Sequence, residues 1–362
     1  MTTMHSGFVS GRVGRFISLA SITVSLLAVC GSSVAQTGAS KDMVMYGAAG
    51  SIGVQMTKNI LPPFEKARNV KVTYQGMGAA EVLSRNIAQR GKPEASLVIA
   101  NDTTAAVGTK LGLWQKLDRN LVPSLASLPS WAVPADGHSV ATGATAIGLV
   151  YNKKVFQEKG WAPPVSWEDL FRDEFAGHVV IYDITFGLMT PVLFSWNLTL
   201  GGSYEDLTPV FNKFRQNRSK ILTIAPQASA WDQVFQQGIG WIGVNSIARM
   251  GILRDQGVPL EFVYPKEGAV GIIATAMVPV GAPQGELGQR LLDHHLQPDV
   301  QALYASTQYY APVNPKAKLD PRVLQVVPSP EQIKKLFFPD WLRLQDNLSK
   351  ATQQWQRTVV NP

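Results

Sequence analysis

The sequence predicts a two-lobed α/β protein whose lobes are joined by two crossing strands, and three observations carry that expectation. The stretch His138–Asn152, HSVATGATAIGLVYN, is rich in small and β-branched residues and reads as two joined extended segments. A second stretch of the same character, Gly268–Gly281, GAVGIIATAMVPVG, comes much later, so the chain goes out along one strand and returns along the other. Around both, short apolar runs end repeatedly in small or polar turns that open helices, the pattern of an open α/β sheet. A length of 362 residues is too great for one core and suits two lobes.

In the first crossing, Ala146, Gly148 and Val150 alternate with Ile147, Leu149 and Tyr151 in the period of a strand. Its small residues from Ala141 to Ala146 let another backbone or a ligand come close, and Thr142 and Thr145 are the polar groups there.

Charged residues at 16% and hydrophobic ones at 45% describe a globular chain, neither disordered nor embedded in a membrane. The net charge of +7 comes from scattered Lys and Arg with no basic stripe, which argues against a nucleic-acid partner. Residues 1–35 read as a cleavable signal peptide. Arg12 and Arg15 precede an apolar run, and Ser33-Val-Ala35 supplies the small residues a signal peptidase requires. The run carries several serines and a threonine and is short for a bilayer, which needs about 20 apolar residues. Leu27-Ala-Val-Cys30 approximates a lipobox, but Val29 is too large for the position before the cysteine. Cleavage before Gln36 leaves a periplasmic chain without cysteine and two arginines poorer, which removes disulfide and thiol chemistry.

After this leader comes strand Met43–Tyr46, then the turn Gly47–Gly53 and a helix towards Lys66. Gly47, Gly50 and Gly53 do not give G-x-G-x-x-G, and no acidic strand end follows at the dinucleotide spacing. A second strand, Val70–Tyr74, leads into Gln75-Gly-Met-Gly-Ala-Ala-Glu81 and a helix to Arg90; a third, Leu97–Ala100, leads into a helix capped by Asn101–Thr104. In such a sheet ligands sit beyond the carboxyl ends of the strands. Tyr46, Ala49 and Ser51, then Gly76, Met77, Gly78 and Ala79, then Asn101 and Asp102, therefore form one candidate rim.

The series Tyr151-Asn-Lys-Lys-Val-Phe156, Pro163-Pro-Val-Ser-Trp-Glu-Asp-Leu170, Tyr264-Pro-Lys-Glu-Gly268 and Ala311-Pro-Val-Asn314 resembles the landmarks of periplasmic solute-binding proteins of ABC importers. It is most similar to the branch that includes polyamine, thiamine and ferric-ion binders, over about residues 44–320. The resemblance implies a type II periplasmic binding protein fold with a ligand cleft between the lobes. Lobe 1 is then residues 41–145 and 275–310, lobe 2 is residues 146–274, and the tail 311–362 braces lobe 2. It also implies a membrane permease as partner, no cofactor and a monomer.

In the second half, Ser166 and Asp169 form an acidic variant of the capping box, and Trp167 with Leu170 and Phe171 gives that turn an apolar face, a structural motif. Strand Val179–Asp183 turns through Thr185, Phe186 and Gly187 into a helix. The resemblance places ligand contacts on this turn, hence Asp183, Phe186 and Gly187 as candidates. Strand Gly240–Ser246 ends in Asn245 and Ser246, where relatives offer a side-chain donor or a helix N-terminus. Polyamine binders of the family usually carry an aromatic and an acidic residue soon after Pro-Lys-Glu-Gly; this chain shows Val270-Gly-Ile-Ile-Ala274 instead. Tyr264 and Glu267 remain candidates there. Tyr309 and Tyr310 resemble the phenolate pair of ferric-ion binders, although neighbours in an extended segment point to opposite faces. His294-His295 lies mid-helix, where consecutive residues diverge, and no metal site is assigned. The tail from Glu331 to Trp355 reads as two amphipathic helices divided near Pro339-Asp340.

No G-x-S-x-G, H-E-x-x-H or P-loop occurs, so catalysis is not expected. A secreted hydrolase and a structural envelope protein are the rival classes; the second would not need polar turns at every strand end. The main expectation is a periplasmic solute-binding component that captures a small solute between its lobes. Few acids at the rim, several helix N-termini aimed at it and net positive charge lean the ligand towards an organic anion. A ferric ion, or a polyamine or thiamine, is the alternative.

Overall fold

A computed structural model describes residues 42–361. The expected signal peptide over residues 1–35, its cleavage site and Cys30 lie outside the described residues.

Nine strands form one sheet: β1 (Met43–Gly47), β2 (Val72–Gly76), β3 (Ala95–Asn101), β4 (Val140–Asn152), β5 (Val179–Tyr182), β6 (Ile221–Ala225), β7 (Ile242–Ser246), β8 (Leu260–Val263) and β9 (Val270–Met277). Their order is β2-β1-β3-β9-β4-β7-β5-β6, with β8 paired to β4. The pairs β1–β2, β1–β3, β5–β6 and β5–β7 are parallel, while β4 and β9 run antiparallel to each other and to their neighbours. The two crossings expected from composition are β4 and β9.

All thirteen residues of β4 are buried. Its first part pairs with β9, from Val140 opposite Ala276 to Ile147 opposite Val270; its second part pairs with β7 and β8. One strand thus serves two halves of the sheet, and its small residues are what make that close approach feasible. A Cβ placed on Gly148 would lie 2.3 Å from the Val263 carbonyl oxygen, and one on Gly271 would lie 2.2 Å from the Phe338 ring. The β4–β9 register slips between Ala141 and Gly143, leaving Thr142 to donate from Oγ1 to the Ala274 carbonyl at 3.2 Å.

Apolar side chains gather in separate cores on the two halves. One holds Met45, Phe64, Leu97, Leu291 and Tyr304; the opposite face of the same strands contributes Tyr46 and Val98 to another, which Trp114 completes from the segment after helix Asp102–Lys110. The larger core, on the second half, contains Trp167, Trp196, Phe211, Phe214, Trp231 and Trp355. A buried aromatic side chain removes 150–250 Å² from water, so this cluster dominates the stability of its lobe.

Helix Ser51–Gln55 continues through a wider π segment, Met56–Ile60, into Leu61–Arg68. Pro62 and Pro63 lack the N–H groups that would close regular turns onto that segment, which accounts for the widening. The expected capping box forms: Ser166 Oγ accepts from the Glu168 N–H at 3.2 Å, and Asp169 Oδ2 accepts from the Ser166 N–H at 3.0 Å. The tail also divides as expected, into helices Pro330–Lys334 and Trp341–Trp355, the second capped by the Asp340 carboxylate.

Candidate ligand cleft

At the end of β1 the turn Gly47–Gly50 is covered by Tyr74 of β2, whose hydroxyl donates to the Ala48 carbonyl at 2.6 Å. A Cβ on Gly47 would meet that hydroxyl at 2.4 Å, so glycine is required for the ring to lie there. Ser51, first residue of its helix, donates to Gln308 Oε1 at 3.0 Å. Gly76 brings the β2 end within 3.0 Å of Ala49 Cα, measured from where its Cβ would stand. Gly78 caps helix Ala79–Ala88 with its backbone alone, and the Ala79 carbonyl accepts from Thr104.

At the end of β3, Asn101 Oδ1 accepts from the N–H and the hydroxyl of Thr104 at 3.0 and 2.9 Å, so its side chain caps helix Asp102–Lys110. Asp102 is half-buried. Its carboxyl is pushed up to about 7 by burial, partly offset by hydrogen bonding to backbone groups such as the Thr103 N–H, which donates to Oδ1 at 3.2 Å. Tyr310 stands beside it, pushed up to about 12 by burial and by the Asp102 charge. The Tyr310 ring lies 5.8 Å from that of Tyr304, and Gly143 of β4 passes beneath, its Cβ position 3.1 Å from Tyr310 Cβ. Thr145 in β4 is fully buried, and its Oγ1 has no partner among the described residues.

On the second half, candidates collect around Tyr182 at the end of β5. Phe186 stacks on it at 4.3 Å, and Asn245 Nδ2 donates to its hydroxyl at 3.1 Å. Ser246 Oγ accepts from the Arg249 N–H at 3.1 Å and so caps helix Ile247–Asp255. Arg249 grips Asp232 through Nε at 3.0 Å and again through its terminal nitrogen. Gly187 has open space where a side chain would be. The Tyr264 hydroxyl is buried with no partner among the described residues, its ring edge-on to Phe262 at 4.9 Å.

Five expected side chains are engaged elsewhere. Tyr46 is buried behind the sheet with its hydroxyl on Glu94 at 2.7 Å, and Met77 packs in that same core. Asp183 accepts from Thr185, from Trp355 Nε1 at 3.2 Å and from Gln356, which fastens the last helix to β5. Glu267 accepts from the Ser166 hydroxyl and the Trp167 N–H, reinforcing the capped turn. Tyr309 takes a left-handed φ of 55° and donates to Asp255 at 2.7 Å, while Tyr310 faces Tyr304 and Asp102. The adjacent phenols thus diverge and do not form a two-phenolate clamp. Among the described residues, no three His, Cys, Asp or Glu side chains converge as metal ligands would.

Sequence reasoning missed Tyr74, Arg249 and Trp341. Trp341 opens an amphipathic helix, a position that reads as a core anchor, and nothing local shows that this helix packs against helix Asp102–Lys110.

Separate apolar cores on one sheet, with polar strand ends and two crossing strands between them, define the class: a periplasmic-binding-protein fold. The chain belongs to the bacterial extracellular solute-binding protein family, which matches residues 59–327. The spermidine/putrescine-binding periplasmic protein of Salmonella typhimurium is 26% identical over 319 residues, covering 83% of each chain. An ABC transporter substrate-binding protein from Bradyrhizobium japonicum superposes with a TM-score of 0.72 at 20% identity, over 88% of this chain and 99% of that one. A ferric binding protein from Campylobacter jejuni gives 0.70 at 16% identity, over 87% and 99%. The relatives are binding proteins, in keeping with a family of solute binders.

Proposed function

We propose that this chain is the periplasmic substrate-binding component of an ABC importer and that it captures a small cationic amine of the polyamine kind. Asp102 carries the ligand reading. A half-buried carboxyl at a strand end, with the Tyr310 ring close enough to feel its charge, offers charge and an aromatic face to an ammonium group. The expected organic anion would need a cation here, yet Arg249 is already committed to Asp232. The similarity to the spermidine/putrescine-binding protein of Salmonella typhimurium supports the same reading. Val270–Ala274 still lacks the usual aromatic and acid, which favours a shorter or less charged amine over spermidine.

Capture then follows from the topology. The lobes, residues 41–145 with 275–310 and residues 146–274, turn about β4 and β9, and a ligand that touches both favours the closed form for the permease to read. The leader is removed on export, and the mature chain acts as a monomer without nucleic acid.

A thermal-shift and calorimetric screen of the mature protein with putrescine, spermidine, thiamine, ferric ion and simple carboxylates tests this. A binder at about a hundredfold excess over Kd gains about 2.7 kcal/mol. Stabilisation by amines is expected; stabilisation by carboxylates alone would overturn the ligand assignment.

A further inference from the structure

A third passage joins the two halves of the molecule. Helix Pro298–Gln308 packs in the first core through Val300 and Tyr304, and the chain then runs to Val323, Val326 and Val327 in the larger core of the second half. Midway it touches β4: the Ala144 N–H donates to the Ala311 carbonyl at 3.0 Å and the Ala311 N–H donates to the Ala144 carbonyl at 2.7 Å. Two tyrosines stand between the helix and this bridge. Tyr309 ends the helix at φ 55° and ψ 33°, a left-handed cap that glycine or asparagine usually fills, because a Cβ is crowded there. Its side chain holds it in that conformation. Tyr309 is 1% exposed, and its ring lies over Gly251 of helix Ile247–Asp255, where an added Cβ would meet the ring Cδ2 at 2.7 Å. The hydroxyl donates to Asp255 Oδ2 at 2.7 Å, and the other oxygen of that carboxylate stands 3.6 Å from an Arg322 nitrogen. The backbone of Tyr309 thus belongs to a helix of one half, while its side chain is seated in the other.

We propose that Tyr309 is a positioning residue for the cleft: its seat on Gly251 and Asp255 enforces the left-handed turn that lays Tyr310 on β4. This rests on the reading that places the ligand at Asp102 and Tyr310. A change of φ sign at residue 309 would swing the next peptide, so the direction of Tyr310 is set by the turn before it. Tyr310 lands where a Cβ on Gly143 would lie 3.1 Å from its own Cβ, with its ring 5.8 Å from that of Tyr304. Gly143 is opposite Ala274 of β9, and Ala274 is opposite Asn101 of β3. One row of the sheet therefore leads from beneath Tyr310 to the residue that precedes Asp102. Two glycines make the arrangement possible, Gly251 by leaving room for one ring and Gly143 by leaving room beneath the other residue. Adjacent tyrosines diverge here because each has its own seat, one in each half of the molecule.

The test incorporates 3-fluorotyrosine at position 310 and compares Tyr309→Phe, Tyr309→Gly and Tyr309→Ala, with circular dichroism to show folding. Phenylalanine keeps the seat and loses the hydroxyl bond; glycine keeps the turn accessible and loses the seat; alanine loses both. In the ligand-free protein the fluorine signal should move least in Tyr309→Phe and most in Tyr309→Ala. Putrescine affinity, by calorimetry, should fall in the same order, by about threefold in Tyr309→Phe and at least about tenfold in Tyr309→Ala, because only molecules with the turn set are competent. Should Tyr309→Ala fail to fold, Tyr309→Phe and Tyr309→Gly carry the comparison. An unmoved fluorine signal in the folded variants overturns the proposal, even where the melting temperature drops, since Tyr309 would then only fill the core. Wild-type behaviour of Tyr309→Gly also overturns it, because the turn would not need the seat. A moved signal with unchanged putrescine affinity does the same. If the signal moves in the stated order but neither wild type nor variants bind putrescine, the positioning role stands and the amine assignment fails.

Discussion

The amide of Asn245 donates to the Tyr182 hydroxyl across 3.1 Å and so ties the end of β7 to the end of β5. Both side chains are buried, and burial raises the Tyr182 hydroxyl well above its ordinary range, so it stays protonated and accepts this bond as a neutral group. Tyr182→Phe strands the Asn245 amide. We expect a loss of about 1–2 kcal/mol in urea unfolding, with weaker ligand binding because Phe186 and Ser246 are set by the same corner. An Asn245→Leu, Tyr182→Phe pair, in which both polar partners are gone, should recover part of that stability.

Asp102 predicts the pH dependence of binding. A cation favours the charged carboxylate, so its binding lowers the Asp102 pKa from about 7 and releases a proton wherever the free protein holds one. Putrescine affinity should therefore be flat above about pH 8 and fall up to about tenfold per unit below 7. Calorimetry in buffers of differing ionisation heat reads the proton directly. Proton uptake on binding would identify an anion, and Asp102→Asn should remove the pH dependence together with most of the affinity.

Ser246 caps its helix through Oγ, a task aspartate performs as well. Ser246→Asp should leave stability within about 0.5 kcal/mol while adding a negative charge at the rim. An amine ligand should bind as well or more tightly; a tenfold loss, measured by calorimetry, would mean that the bound group is negative.

His295 is fully buried with neither ring nitrogen partnered among the described residues, and burial, with His294 adding to it, pushes it down to about 4. Its ordinary value of 6.5 then applies only to the unfolded chain, which binds the proton first as pH falls. The contribution is complete above pH 6.5, declines between 6.5 and 4, and amounts to roughly 3 kcal/mol when lost. His295→Leu should flatten the acid arm of the stability profile in urea titrations between these pH values.

The crossings were legible because their composition is extreme: few other uses exist for thirteen residues as small and β-branched as those of β4. The Ser166 box and the break at Pro339-Asp340 were legible because capping is local chemistry. Asp183 and Glu267 were misplaced for the opposite reason. Their polar partners, Trp355 and Ser166, lie far off in the chain, and a carboxylate at a strand end looks the same whether it awaits a ligand or an indole. Trp341 was hidden in the same way, since periodicity assigns it to a core and only the fold brings its helix against helix Asp102–Lys110.

The place of β9 between β3 and β4 has a consequence for biogenesis. Until residue 277 has emerged, β3 has an unpaired edge and Met277 is missing from the core it shares with Tyr46 and Trp114. Such non-local pairing is slow to form and leaves sticky edges while it waits. A chain arriving N-terminus first therefore cannot finish its earliest lobe before most of the later one is present. Truncations ending before Val270 should be soluble only with a chaperone bound, because they lack β9 and the core side chains Leu291 and Tyr304 that complete the first half.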